Sequence, residues 1–184
     1  MASPRLRTPR LELRLLQPTD VAALWPYVSD ESFPRYMTWA AHEHPDETTA
    51  YIGAMQAAAA EGTAFSFALI FEGQLIGLAG LHDVTRVVRA WRVDRAELGY
   101  WVGPPFQDRG LCTEAAREVM RFGFEDLGLH KITVGCITDN VPSRRVIEKL
   151  RFRFLGEQRH HAFRGDRWWN HLAYELCVDE WSGG

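Results

Sequence analysis

Residues 107–113, Gln-Asp-Arg-Gly-Leu-Cys-Thr, have the composition and position of a phosphate-binding loop. They lie between a predicted strand and a predicted amphipathic helix, where free backbone N–H groups stand at the positive end of the helix dipole. Gly110 permits unusual φ values and close approach of a ligand, and Arg109 and Thr113 could add side-chain donors. From these residues alone, an ordinary strand-to-helix turn remains an alternative.

The loop matches neither of two common nucleotide-binding motifs. No Gly-Lys-Ser/Thr follows the glycine, as in a Walker P-loop, and no Gly-x-Gly-x-x-Gly pattern is present. A formal net charge of -3 argues against general nucleic-acid binding, which depends on neutralising many phosphates. Four clustered arginines are interpreted as a solvated surface rather than as a site for an anionic partner: Arg86, Arg89, Arg92 and Arg95.

The elements that must position this loop follow a pattern typical of one α/β domain with a mixed sheet. The 184 residues are enough for a single domain with its own core. The predicted strands span residues 11–15, 65–71, 75–81, 97–102, 130–138, 154–163 and 168–178. The predicted helices span residues 21–28, 45–60 and 113–127, and a fourth begins after Asn140. Asp20 and Asn140 are the predicted caps of the first and last helices.

The loop resembles the Gln/Arg-x-x-Gly-x-Gly/Ala pyrophosphate-binding motif of the GNAT superfamily of acetyltransferases, and the chain is similar to its RimJ/RimL type. The similarity begins at residues 8–14, Thr-Pro-Arg-Leu-Glu-Leu-Arg, and continues through 96–102, Ala-Glu-Leu-Gly-Tyr-Trp-Val. It ends at Asn140-x-x-Ser143, followed by Glu-Lys-Leu-Arg-Phe at 148–152. Cys112, where the family has Gly or Ala, and Arg151, where it has Gly, depart from the pattern.

This resemblance implies a GNAT fold, in which a mixed, mostly antiparallel sheet splays between two parallel strands and is flanked by about four helices. It implies acetyl-CoA as the acetyl donor, bound where strands 97–102 and 130–138 separate. No metal site is expected from the sequence itself, because the adjacent His160 and His161 would point to opposite faces of a strand and the three Cys include no CxxC pair. Backbone N–H groups of Tyr100, Trp101 or Val102 would bind the pantetheine arm and polarise the acetyl oxygen. The pyrophosphate would lie on seven loop residues: Gln107, Asp108, Arg109, Gly110, Leu111, Cys112 and Thr113.

The resemblance also assigns the thioester end of the cofactor to the last helix. Asn140 and Ser143 would flank it, and Arg145, with Arg144 and Lys149, would approach the distal phosphates. Many members of the superfamily carry a Tyr acid where this chain has Ile147. Ser143 lies four residues earlier on the same helical face and resembles the Ser of RimL-type enzymes. It is therefore predicted to hydrogen-bond the CoA sulfur, with helix capping as the alternative.

Glu97 is the predicted catalytic base because it precedes the splayed strand, beside the expected acetyl group. A surface strand position is the alternative for Glu97, and His82 or Asp83 could act as a base through water. Acceptor specificity is expected from two aromatic segments, the one before the second helix and the last hairpin. The predicted substrate-binding residues are Tyr36, Trp39, His82 and Trp169, although such aromatics also fill cores or dimer contacts.

The predicted acceptor is a protein N-terminal α-amine. Its reference pKa of about 7.7–8.0, against about 10.4 for Lys, makes it easier to deprotonate. A small amine such as a polyamine, amino acid or antibiotic is the alternative, and a non-catalytic acyl-CoA-binding module is the third possibility. The absence of a CxxC pair, of an apolar signal segment in residues 1–10 and of a membrane-length apolar run predicts a cytoplasmic protein without a membrane partner. A homodimer is expected by family analogy.

Overall fold

A computed structural model describes residues 4–183, which form one eight-stranded sheet of order β1-β2-β3-β4-β5-β6-β8-β7. The strands are β1 Arg5–Arg7, β2 Leu11–Leu15, β3 Phe65–Phe71, β4 Gln74–Val88, β5 Trp91–Val102, β6 Lys131–Ile137, β7 Arg153–Arg164 and β8 Arg167–Cys177. Neighbouring strands are antiparallel except for β5 and β6, which run parallel. The mixed, mostly antiparallel sheet predicted from the sequence is confirmed.

In the described part of the chain, four α-helices flank the sheet, in agreement with the prediction: α1 Val21–Val28, α2 Pro45–Glu61, α3 Leu111–Arg121 and α4 Val141–Lys149. Helices α3 and α4 bury residues such as Val119 and Ile147 against one face of the sheet. Helices α1 and α2 bury Leu24 and Ile52 against the other face, together with Trp101 of β5. The sheet is therefore covered on both faces by helices.

Several element bounds differ from the predicted ones. The short strand β1 was not predicted, and β4 and β5 extend past residues 75–81 and 97–102 into a long hairpin. The four clustered arginines lie on this hairpin and are exposed, in agreement with their interpretation as a solvated surface. Helix α3 ends at Arg121 instead of 127 because the chain widens into a π turn, in which Leu127 N–H donates to the Phe122 carbonyl at 2.9 Å.

The two predicted helix caps have different outcomes. Asp20 does not cap α1 with its side chain. Instead, its two carboxylate oxygens accept hydrogen bonds from Arg14 at 2.8 and 2.7 Å, since a bidentate guanidinium is a stronger partner than one backbone N–H. Asn140 does cap α4, and its Oδ1 accepts from the Ser143 N–H at 3.2 Å. The asparagine therefore fixes the start of α4 and the position of Ser143.

Candidate functional site

An opening in the sheet separates β5 from β6. The two strands pair only from Arg95 to Glu97 on β5 and from Lys131 to Thr133 on β6. Beyond these residues β5 continues with β4 alone and β6 with β8 alone. The β6-facing edge of residues 98–102 is thus left without a strand partner, and its backbone groups are available to a ligand. Backbone N–H groups point alternately to the two edges of a strand, and the Gly103 N–H donates to the Ile76 carbonyl of β4 at 2.8 Å. Of the three residues predicted to bind the cofactor through their backbone, Tyr100 and Val102 therefore direct their N–H groups to the open edge, whereas Trp101 directs its N–H to β4.

The loop before α3 presents free backbone donors at one end of this opening. Gly110 has φ 76° and begins α3 without any side-chain cap. The first helical hydrogen bond runs from the Glu114 N–H to the Gly110 carbonyl at 3.0 Å. The N–H groups of Leu111, Cys112 and Thr113 therefore have no intrahelical partner. This helix end fits a pyrophosphate, whose charge the helix dipole favours.

The side chains of the loop are mostly engaged with the protein. The Arg109 guanidinium, predicted as a phosphate donor, lies 4.8 Å from the centre of the Phe71 ring. The Gln107 amide donates to the Val102 carbonyl at 3.2 Å, and the side chain of Leu111 is fully buried in the core. The structure thus offers the backbone of residues 107–113, more than its side chains, to an anion.

A polar cluster from the start of the chain holds this loop in place. Glu114, in the first turn of α3, accepts from the Thr8 hydroxyl at 2.5 Å and from Nε of Arg10 at 2.7 Å. Another nitrogen of the Arg10 guanidinium donates to the Arg109 carbonyl at 3.1 Å. Burial raises the pKa of Glu114, but the hydrogen bonds from Thr8 and Arg10 outweigh it and leave this pKa below its usual value. The Thr8-Pro9-Arg10 segment therefore fixes the loop to β2.

Tyr100 and Ser143 meet across the opening. The Tyr100 Oη lies 3.2 Å from the Ser143 Oγ, and the hydroxyl also donates to the Ser143 carbonyl at 3.3 Å. Ile147, where many relatives carry a tyrosine, is fully buried in the core. A phenol hydroxyl is thus present beside Ser143, the residue predicted to hydrogen-bond the CoA sulfur. It belongs to Tyr100 of β5 and not to a tyrosine of α4. Sequence reasoning assigned only the backbone of Tyr100 and missed the contact of its side chain with Ser143.

Ionisation is disfavoured around this pair. Burial strongly raises the pKa of Tyr100, although its hydrogen bond with Ser143 opposes the shift. Burial also raises the pKa of Cys112 to about 12 and raises the pKa of Cys136. A thiolate formed in such surroundings is a strong base. A protonated hydroxyl pair is therefore well placed to stabilise it.

Glu97 and His82 lie on the opposite face of the sheet from Tyr100, because side chains alternate along β5. They are direct cross-strand partners, and the His82 ring lies over Gly99, 3.2 Å from where a methyl group would stand. Burial raises the pKa of Glu97, the charge of Asp83 raises it further, and His161 lowers it. Burial lowers the pKa of His82. Both groups thus favour their neutral forms more than they would in water.

A second imidazole covers the strand on the other side of the opening. A methyl group on Gly135 of β6 would overlap the His171 ring, so this glycine provides the space for it. The His161 ring stacks on His171 with centroids 4.5 Å apart. Burial, followed by His161, lowers the pKa of His171. His82 and His171 therefore flank the opening from β4 and β8.

The predicted substrate-binding aromatics form a wall beside this face. Tyr36 and Trp169 are in edge contact, with ring centroids 5.9 Å apart. Trp39 packs instead against Phe33, at 6.2 Å, and His42, at 5.9 Å. The structure thus brings the segment after α1 against the last hairpin, although Trp39 and Trp169 are not in ring contact. A role of these residues in acceptor binding stays a prediction.

The basic residues of α4, predicted to approach the distal phosphates, differ in exposure and in their contacts. Arg145 is exposed, and Lys149 is also exposed, with its carbonyl accepting from Arg117 at 3.5 Å. The Arg144 guanidinium is 3.7 Å from Glu148. Their contacts with distal phosphates stay a prediction. Within residues 4–183, no helix combines the length and apolar character needed to cross a membrane.

Comparison with known proteins agrees with this geometry. Residues 10–153 match the family model described as "Acetyltransferase (GNAT) domain". The chain is 28% identical over 177 residues to "Uncharacterized N-acetyltransferase YnaD" of Bacillus subtilis, with 96% of this chain and 99% of that protein covered. It is 26% identical to the [ribosomal protein uS5]-alanine N-acetyltransferase of Escherichia coli, over 98% of this chain and 94% of that protein.

A solved structure has the same fold over almost the whole chain. It is RimL, a ribosomal L7/L12 α-N-protein acetyltransferase, in complex with coenzyme A. The TM-score is 0.87 at 17% identity, and the match covers 96% of this chain and 99% of RimL.

Proposed function

The chain belongs to the GNAT acetyltransferase family and is an acetyl-CoA-dependent N-acetyltransferase, and from this premise we propose that its acceptor is the α-amine of a protein or peptide N-terminus. The observation that carries the proposal is the placement of different catalytic candidates on the two faces of the opened sheet. Glu97 and His82 stand on one face, whereas Tyr100 and Ser143 meet on the other. An amine and a thioester can thus approach the opening from opposite faces.

Acetyl-CoA, when bound, supplies the acetyl group as a thioester whose C–S bond breaks as the C–N bond forms. Glu97, directly or through water, accepts the proton that the ammonium must lose before its nitrogen attacks. Backbone N–H groups at the β6-facing edge of residues 100–102 stabilise the negative charge on the carbonyl oxygen. Ser143, hydrogen-bonded to Tyr100, donates to the departing sulfur. The products are the amide, free CoA and one proton.

The strength of the base favours an α-amine. Glu97 has a raised pKa, yet a carboxylate remains a weak base compared with an amine. Deprotonating a Lys side chain at neutral pH costs about 3 kcal/mol more than deprotonating an α-amine, from reference pKa values of about 10.4 and 7.7–8.0. The aromatic wall formed by Tyr36 and Trp169 suits the first side chains of a peptide. Protein N-termini become available in the cytoplasm, where we expect the enzyme to act.

A matched peptide set tests this proposal. One peptide carries a free α-amine and no Lys, a second has the same sequence with a blocked N-terminus and one Lys, and spermidine represents small amines. We expect CoA release and a mass gain of one acetyl group with the first peptide only. The control is the Glu97→Gln, Ser143→Ala double variant, which should bind CoA without turnover. Acetylation of spermidine with both peptides unmodified would reject an N-terminal acceptor.

A further inference from the structure

Residues 29–44, between α1 and α2, carry Tyr36, which with Trp169 forms the aromatic wall proposed for the acceptor. We call this segment the acceptor wall, and it contains little regular structure. Within it only Phe33–Tyr36 is a short 3₁₀ turn. Such a segment leaves backbone carbonyls without strand or helix partners, and partly buried carbonyls require donors from elsewhere. The donors come from a side chain that is distant in sequence.

Arg164, at the end of β7, supplies these donors. Its Nη1 donates to the Pro34 carbonyl at 2.7 Å and to the Met37 carbonyl at 2.8 Å. Its Nη2 donates to the Trp39 carbonyl at 3.1 Å. Among residues 4–183, no carboxylate lies within ion-pair distance of Arg164. Its charged donors are thus directed to one irregular segment.

The same hairpin end also holds Trp169. The Trp169 indole N–H donates to the Arg164 carbonyl at 3.1 Å, and the Tyr36 ring meets the indole edge-on. Arg167, the cross-strand partner of Arg164, lies 3.5 Å from the centre of the indole ring and forms an ion pair of 2.7 Å with Asp139. The two arginines therefore tie the hairpin end to different parts of the site: Arg164 to the acceptor wall, and Arg167 to the residue before the α4 cap.

We propose that Arg164 is a positioning residue for the acceptor: by binding the carbonyls of Pro34, Met37 and Trp39, it holds the wall that contains Tyr36 in the shape that receives the amine. This inference rests on the proposed function for its kinetic readout. Among the described residues, the hydrogen bonds of the Arg164 side chain go to Pro34, Met37 and Trp39, and none goes to the loop at 107–113 or to residues 98–102. Its loss should therefore affect the acceptor and leave acetyl-CoA binding unchanged.

The kinetic test compares Arg164→Ala and Arg164→Lys with the wild type. We expect Arg164→Ala to raise the acceptor KM about tenfold or more, as loss of charge-assisted hydrogen bonds would. The kcat should change less than about threefold and the KM for acetyl-CoA less than about twofold. Lysine keeps the charge but lacks the planar fork that reaches three carbonyls, so Arg164→Lys should be intermediate. The matched control is Arg159→Ala, on the same strand, since Arg159 is exposed.

A structural readout keeps the inference independent of the acceptor. The Met37 N–H donates to the Pro34 carbonyl at 2.9 Å, within the segment that Arg164 holds. Hydrogen exchange of amides 33–40 should therefore accelerate in Arg164→Ala while the amides of α3 keep their protection. An unchanged acceptor KM together with unchanged exchange would overturn the inference. If wild-type protein acetylates no amine but the exchange result holds, the proposed function fails, and only the part of the inference that Arg164 fixes the conformation of residues 33–40 stands.

Discussion

The Tyr100 hydroxyl lies 3.2 Å from the Ser143 hydroxyl, although the two residues are 43 positions apart in the sequence. This contact joins two hydroxyl groups at the place where we propose that the CoA thiolate is released. A serine hydroxyl alone is a poor proton donor, and a neighbouring phenol can replace the proton that it gives up. The two residues should therefore act as one unit in catalysis.

The first prediction follows from this pairing. Tyr100→Phe and Ser143→Ala should each lower kcat about 10²-fold, within the range for general acid catalysis. The double variant should be little slower than either single variant, because residues that act as a unit are non-additive. Stopped-assay kinetics at saturating substrates measures kcat, and calorimetry with CoA checks that the affinity is retained. If Tyr100→Phe keeps the wild-type kcat, the Tyr100 hydroxyl does not contribute, and Ser143 is the only one of the two that donates to the sulfur.

The second prediction concerns the pH dependence set by Glu97. The base must be ionised to accept a proton, so kcat/KM should rise with pH through a pKa above the usual carboxyl range, since burial and then Asp83 raise the pKa of Glu97. Glu97→Gln should lower kcat/KM about 10²-fold and remove this acid limb. Asp83→Asn removes a negative charge that raises the pKa, and should move the limb to lower pH.

His161→Gln should shift the pKa of Glu97 in the opposite direction to Asp83→Asn. His161 lowers the pKa of Glu97, so its loss should move the acid limb to higher pH. A peptide acceptor of one sequence keeps the amine pKa constant across all variants. If Asp83→Asn and His161→Gln leave the limb unmoved, Glu97 is not the titrating base, and His82, whose pKa burial lowers, becomes the group to replace.

Periodicity and turn residues were enough to predict most strands and helices, whereas the assignment of residues 107–113 to a pyrophosphate came from the family resemblance and stays a prediction. The alternating strands, the amphipathic α3 and Gly110 are local features, and each left a signal within about ten residues of the sequence. Strand β1 was missed because three residues are too few to show an alternation. The bulge at Asp83, with φ 50°, conceals the continuation of β4 because it interrupts the period of two.

The contacts that organise the site are non-local, so the sequence did not reveal them. Alternation along β5 does place Tyr100 on the same face as the buried Leu98, which is a signal that could have pointed to its side chain. Nothing local indicates that this phenol reaches Ser143, or that Arg164 reaches Pro34, at a separation of 130 residues. Such pairs depend on how the sheet brings distant segments together.

The third prediction concerns the polar cluster that holds the cofactor loop. The pKa of Glu114 is lowered in the folded protein, since hydrogen bonds from Thr8 and Arg10 outweigh the effect of burial. A carboxyl with a lowered folded pKa stabilises the protein above its unfolded pKa, and this stabilisation is lost as pH falls through the folded pKa. Glu114→Gln should therefore reduce the free energy of unfolding by about 1–2 kcal/mol at pH 7, and by less at pH 4.

Urea unfolding at the two pH values measures this difference. Glu31→Gln is the control, because Glu31 is exposed and lacks an ion pair within the described part of the chain. It should show nearly the same small change at both pH values. A loss in Glu114→Gln that is equal at pH 7 and pH 4 would mean that the carboxylate charge does not contribute to stability.

The fourth prediction separates backbone strain from cofactor binding by comparing two glycines. Gly110 has φ 76° in the loop before α3, and Gly62 has φ 74° after α2. An alanine at either position would face no steric overlap: Gly110 has Arg10 at 3.6 Å and Gly62 has no atom within 4 Å. Both substitutions should cost about 1–2 kcal/mol of stability, because an L-residue is strained in the left-handed region.

Only Gly110→Ala should weaken CoA binding. Relief of the strain turns the peptide groups around residue 110, and the free N–H groups that follow then lose their common direction toward the pyrophosphate. Calorimetry should show a CoA affinity about tenfold lower in Gly110→Ala and unchanged in Gly62→Ala, while thermal unfolding shows similar losses in both. Equal CoA affinities in the two variants would mean that the phosphates lie elsewhere than on residues 107–113.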